Sequence, residues 1–279
     1  MRYFLLFIII FVSSSLLKAQ DKERPCIPVR DVSDAQRAFV SGEKLVYKIN
    51  YSWGMVKTDV GEATATLERV DDSLYGDHFH AIVEGYTYKF YDIFFKVRDF
   101  FESRFSTLNG RPYYFHRNIS EGKYRMINHH YYHEDYTIDA TVKRKSSAER
   151  DTLLVGRECT FDLVSLFYFA RNLDFSKVEK GVEQPISFAI DDEVFELYYR
   201  FIGEEVKKIP DLGRYNTLKF AARVVAGEVF TGEEELIIWV SKDRNKVPLM
   251  FETPIIVGEV NGRLHSFENL RYPLSGKID

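Results

Sequence analysis

"SGEKLVYKINYSWG", residues 41–54, alternates apolar and polar side chains almost without fault. Leu45, Tyr47, Ile49, Tyr51 and Trp53 fall on one side, with Lys44, Lys48, Asn50 and Ser52 on the other. That period of two is a β-strand with one wet face and one aromatic dry face. The same period returns at 58–70, 78–90, 94–105, 111–119, 123–134 and 136–143, then at 185–190, 193–206, 214–227, 232–241, 246–258 and 262–271. Turn formers separate the earlier runs: Gly54, Asp71-Asp72, Asn109-Gly110, Glu121-Gly122 and Glu134-Asp135. Strands joined by such short turns pair antiparallel with their neighbours, so the pattern is that of a meander.

One stretch breaks the period. "CTFDLVSLFYFARNLDF", residues 159–175, is apolar on nearly every side. Thr160 is placed to cap a helix, Asp162 favours its start and Arg171 its end. The spacing predicts a buried helix at 160–172. The fold class is therefore all-β and mainly antiparallel. Two curved meander sheets form a barrel or two half-barrels, with one buried central helix near 160–172. Residues 41–279 make a single β-rich domain, or two half-barrels over 41–158 and 173–279, though no convincing sequence repeat relates the halves.

The two ends of the chain read differently. Met1-Arg2-Tyr3 precedes a short apolar run, Phe4 to Val12, then three serines and a small residue at Ala19. This is the pattern of a secretory signal peptide over 1–20. The run is too short to span a bilayer, which takes roughly 20 residues. Residues 21–40 carry Pro25, Pro28 and many charges, and read as an extended arm. Glu23, Arg24 and Pro25 precede Cys26, which is not the apolar and small context of a lipidation signal. The mature chain is expected to be periplasmic or secreted, without a transmembrane segment. Cys26 and Cys159 are the only cysteines, and in an oxidising compartment they are the natural pair for a disulfide.

The whole chain carries 38 basic and 42 acidic side chains. Without Arg2 and Lys18 of the signal peptide the balance is more acidic still. An acidic chain with interspersed charges argues against a nucleic-acid partner. The dry faces hold most of the 23 Phe and 18 Tyr, too bulky to leave a water-filled lumen. The wet faces carry many ions, as in "GEATATLERVDD" and "GEEELIIWVSKD". The sheet is expected to curl on its own aromatic face. Buried tyrosine hydroxyls need partners, which leaves room for a pocket.

Several residues are candidates for function. Arg98 and Asp99 sit inside the apolar run "FFKVRDFFESRF", and neighbours on a strand face opposite sides. One of them points inward and needs a partner; Arg171 is one choice. Asp99, Arg98, Arg171, Tyr51 and Trp53 are the candidate ligand-binding residues. His78 and His80 share a strand face, as do His129 and His133, and such pairs can begin a zinc or copper site. No nucleophile elbow, HExxH or phosphate-binding glycine loop occurs.

"GEKLVYKINYSWG", "FFKVRDFFESRF" with "GRPYYFHRNISEGKY" close behind, "FDLVSLFYFARNLDF", and "IIWVSKDRNKVPLMFE" followed by "IIVGEVNGRL" occur in a telling order. Together they resemble an exported bacterial family catalogued as domain of unknown function 3108. The resemblance covers most of the chain after residue 40. It implies an exported, β-rich, barrel-like envelope protein, with no assigned activity or catalytic residues. The expected function is non-catalytic: holding a lipid, lipoprotein or polysaccharide precursor in a concave aromatic sheet, or contacting another envelope protein. No cofactor is expected. Two alternatives stand beside it: a metal-dependent hydrolase built on the histidines, and a structural envelope component with a filled core.

Overall fold

A computed structural model describes residues 26–53, 56–223, 235–254 and 258–278. The expected signal peptide lies outside the described residues, as does the start of the arm. The first meander consists of β1 (Glu43–Trp53), β2 (Val56–Asp72), β3 (Gly76–Thr87), β4 (Arg98–Ser106), β5 (Pro112–Glu121), β6 (Tyr124–Tyr132), β7 (Thr137–Arg144) and β8 (Arg150–Val155). A two-residue strand, β9 (Thr160–Phe161), leads into the helix α1 (Leu163–Arg171). The second meander consists of β10 (Glu183–Ile190), β11 (Glu193–Ile209), β12 (Gly213–Arg223), β13 (Glu235–Ser241), β14 (Pro248–Pro254) and β15 (Glu259–Glu268).

The two meanders are not two sheets. β15 returns beside β1 and pairs with it antiparallel, Tyr47 opposite Leu264 and Ile49 opposite Gly262. All 15 strands thus form one continuous sheet with β8 and β9 at its edges. Alternation predicts pairing between sequence neighbours only. It carries no information on whether the last strand finds the first.

No ladder joins the two edges among the described residues. Side chains draw them together instead. The β10–β11 turn offers Asp191 and Asp192 to arginines of the first meander: Arg117 and Arg144 pair with Asp191, and Arg150 with Asp192. His130 donates to the Asp191 carbonyl at 2.7 Å, and Asn128 at 3.3 Å. Beneath this polar seam Ile138, Ala140 and Leu154 pack on Ala189 and Val194. The sheet therefore curls until its ends touch.

The helix starts at a capping box. Asp162 accepts from the N–H groups of Val164 and Ser165, both at 2.8 Å, and Ser165 Oγ reaches back toward the Asp162 N–H at 3.2 Å. The cap is thus Asp162 rather than Thr160. Thr160 lies in β9, its hydroxyl 2.8 Å from that of Ser187. α1 plugs one end of the curled sheet. Tyr168 stacks on Phe105 and meets Phe39 edge-on. Residues 26–40 run along this end, and Ala38 and Phe39 reach the core.

Two further differences have local causes. The runs 78–90 and 94–105 read as strands that nearly touch. In the structure β3 ends at Thr87, β4 begins at Arg98, and a loop with a short 3-10 turn at Tyr91–Ile93 lies between them. "FYDIFF", residues 90–95, is apolar toward both sides, so it offers no wet face for a strand. β8 was not anticipated, because "RDTLLV" is too short and mixed to show a period.

Candidate functional site

Strand polarity puts the β3–β4 loop and the β5–β6 turn at the end of the sheet opposite α1. Between this end and α1 lies a cavity of about 1060 Å³. Leu163, Val164 and Phe167 of α1 form its floor. Tyr47, Ile49 and Tyr51, the dry face of β1, form part of its wall.

The hollow follows from side-chain size. Strand register sets Tyr47, Ala63, Gly85 and Asp99 in one inward row across β1 to β4. The row nearer the helix holds Leu45, Ala65, Val83 and Phe101. Small residues at the middle of both rows leave space that the rings around them do not fill. Gly61 is required by backbone proximity: a Cβ there would lie 2.3 Å from the Tyr86 carbonyl oxygen. Across the cavity the Phe251 ring lies over Gly262, where a Cβ would meet the ring at 2.1 Å. Glycine thus lets an aromatic wall lie flat against the sheet.

Few polar groups reach the cavity. Asp99 points in from β4, where Ser120 N–H donates to it at 3.0 Å. Burial pushes its carboxyl above the usual range, against the hydrogen bonds from Ser120 and Glu121 and the charge of Arg117. Glu121, at the end of β5, lines the same region. Both carboxylates sit toward the mouth, so a ligand would bury its apolar part below and turn its polar part outward.

The structure separates the candidate ligand-binding residues. Tyr51 and Asp99 line the cavity. Trp53 ends β1, but its side chain lies outside what is described. Arg98 faces away and clamps the β3–β4 loop, its Nη2 2.6 Å from Asp92 Oδ2. Arg171 is buried behind the floor. It pairs through both terminal nitrogens with Glu43, at 2.5 and 2.8 Å, and donates from Nε to the Asn245 carbonyl at 3.0 Å. It is a brace between helix, first strand and the β13–β14 turn, and no part of the cavity. Its partner is Glu43, the opening residue of β1, which shares the inward side of the strand with Leu45.

The candidate metal residues do not converge. His78 is buried, 2.8 Å from the Gly76 carbonyl, and His133 pairs with Asp139 in its own hairpin. His80 meets Glu102 at 2.9 Å. His129 stacks on His116 at 4.4 Å and hydrogen-bonds Tyr114 at 2.9 Å. Glu102 is the hub that sequence spacing missed. Hydrogen bonds from His116 and His80 hold its carboxyl well below the usual range. Among the described residues no group of three His, Cys, Asp or Glu side chains could hold a metal ion. Strand partners are set by register across three turns, so histidines two apart in sequence need not share neighbours.

Cys26 and Cys159 form a disulfide with a Cα–Cα distance of 5.8 Å. It ties the arm to the start of β9, at the plugged end. Phe161 and Phe169 pack around it.

A single, mainly antiparallel sheet, with only the short β9 parallel to its neighbour, curled around an apolar chamber and plugged by a helix defines a barrel-like β protein. The chain belongs to the family described as "Protein of unknown function (DUF3108)", which matches residues 46–265. No curated protein matches it. Among solved structures it is similar to a beta-barrel-like protein of domain of unknown function DUF1849 from Brucella abortus. The identity is 9%, the TM-score 0.53, and the match covers 87% of this chain and 99% of that one. That likeness is one of fold alone.

Proposed function

We propose that this chain is an exported, non-catalytic binding protein that holds the apolar part of a lipid-like molecule inside the curled sheet. The observation that carries the reading is the cavity of about 1060 Å³. Its floor and walls are aromatic and aliphatic, and its few carboxylates lie toward the mouth. Small-molecule sites are concave, mostly apolar and about 300–1,000 Å³, with a few polar groups fixing orientation. This chamber lies just above that range, which suits a long-chain amphiphile. The disulfide supports export to an oxidising compartment. The fold likeness to a beta-barrel-like protein supports the barrel-like reading of the sequence, with α1 and the seam residues completing what the ladder leaves open.

A fluorescent long-chain fatty acid tests the reading. The protein should take it up with a rise in fluorescence. Ala63→Phe, which places a ring in the middle of the inward row, should weaken uptake at least about tenfold, since lost burial of a few methylenes already exceeds 1.4 kcal/mol. Absence of uptake, or uptake unaffected by that ring, would overturn the reading and favour a filled structural component. Native mass spectrometry of protein purified from its own host would identify the natural occupant.

A further inference from the structure

We propose that the β3–β4 loop docks the cavity mouth onto the surface of a lipid bilayer containing anionic headgroups; the proposal rests on the reading of the cavity as a lipid site. The loop concentrates exposed rings as no other turn does among the described residues. Phe90 is 65% exposed, Ile93 80%, Phe94 76% and Phe95 53%. Phe94 and Phe95 also line the cavity, whereas Phe90 and Ile93 do not. The apolar surface is therefore continuous from the chamber to the outermost tip.

Three features favour lipid over a protein partner. The first is the backbone. Phe94 and Phe95 both donate to the Tyr91 carbonyl at 2.9 Å, and Tyr91 and Asp92 donate to that of Tyr88 at 2.8 and 3.1 Å. These four amides of the loop are already bonded, which lowers the cost of carrying them into the apolar layer of a bilayer, where no hydrogen bonds are offered. The second is charge. Lys89 and Lys96 flank the rings and are exposed, on a chain whose net charge is −4. The acid within the loop, Asp92, is tied to Arg98 at 2.6 Å and to the Thr87 hydroxyl at 2.6 Å. Two lysines beside an apolar tip complement an anionic headgroup layer, where each such charge is favourable. The third is support. The Phe95 ring packs on Gly122, where a Cβ would lie 2.9 Å from it, and Gly122 holds a φ of +52°. The tip is thus braced against the β5–β6 turn and presents its rings in one direction.

Docked this way, the mouth would open onto the headgroup layer, and an acyl chain could pass along Phe94 and Phe95 without crossing water. Vesicle flotation of the full chain tests the proposal. The protein should float with vesicles of equal parts phosphatidylglycerol and phosphatidylcholine, and less with phosphatidylcholine alone. Phe90→Asp combined with Ile93→Asp should reduce flotation at least about tenfold, while uptake of the fluorescent fatty acid and the thermal unfolding profile stay unchanged. Lys89→Ala with Lys96→Ala should weaken binding about fivefold per lysine and flatten its salt dependence. A protein that takes up the fatty acid but floats with neither vesicle would overturn the docking and leave the cavity reading standing. So would flotation untouched by the double aspartate variant, or a protein partner seated on the loop of a chain that ignores vesicles. Loss of uptake with flotation retained would instead count against the cavity alone.

Discussion

The two ends of the curled sheet use the same residue types to opposite effect. At the plugged end, charged groups are buried and fully paired: Arg171 with Glu43, and Asp162 with Ser103, Ser165 and the first turn of α1. At the mouth it is large apolar side chains that lack cover: Phe90, Ile93, Phe94 and Phe95. A buried ion pair is a structural commitment, because either charge alone would be stranded in a low dielectric. An uncovered ring costs stability in water and is retained where something else covers it. The plugged end therefore reads as architecture and the mouth as the working end.

The sharpest way to break that contrast is to remove a charge at each end. Arg171→Met should cost about 3–5 kcal/mol, because it strands Glu43 without a partner. Arg98→Met at the mouth should cost less than about 1 kcal/mol, since that pair is partly solvated. Denaturant unfolding of both variants measures the difference, and equal costs would erase the distinction. Next in size is the disulfide at the plugged end, which spans 133 residues. Replacing both cysteines by serine should cost about 2–5 kcal/mol, with the chain-entropy argument giving the upper figure.

Acidity separates the plug from the seam. Burial raises the Asp162 carboxyl from its ordinary 3.8 to about 6, against the hydrogen bonds from Ser165, Ser103 and Val164. The folded state then holds a proton more tightly than the unfolded chain does. Its contribution to stability is complete below pH 3.8 and is lost as pH rises through about 6. His130 at the seam has the opposite sign. Burial lowers it from 6.5 to about 4, against its bond to the Asp191 carbonyl. Its contribution is present above pH 6.5 and is lost as pH falls to about 4. Stability measured across this window should fall less steeply with rising pH in Asp162→Asn, and less steeply with falling pH in His130→Gln. The smallest effect belongs to the tip: Ile93→Asp should change unfolding free energy by no more than about 0.5 kcal/mol, as an exposed side chain without partners does.

Much of the wall was legible in the residues themselves. The alternation of Leu45, Tyr47, Ile49 and Tyr51 names an inward face directly, since side chains on a strand change sides at every step. The hollow was legible too, though less plainly. In "GEATAT" the inward positions are Gly61, Ala63 and Ala65, a run of small residues where neighbouring strands carry rings. The Phe and Tyr content left a filled and a hollow interior both open and drew attention away from that run. Tyr75, Tyr113, Tyr114 and Tyr131 inflate the count of rings available to the interior. They face outward, Tyr75 stacked on Tyr113 and Tyr114 against Tyr131.

What the sequence alone determined is the local geometry: strands with two unlike faces, turns at glycine and aspartate, and a short apolar helix between the two meanders. Each depends on residues a few positions apart, so the pattern is written where it acts. The tertiary structure alone decided that β15 closes on β1, that Glu43 rather than Asp99 answers Arg171, and that Glu102 joins His80 and His116. Those partners are brought together by the curl of the whole sheet. Packing between distant residues is a sum over many weak contacts, and no short stretch of chain contains it.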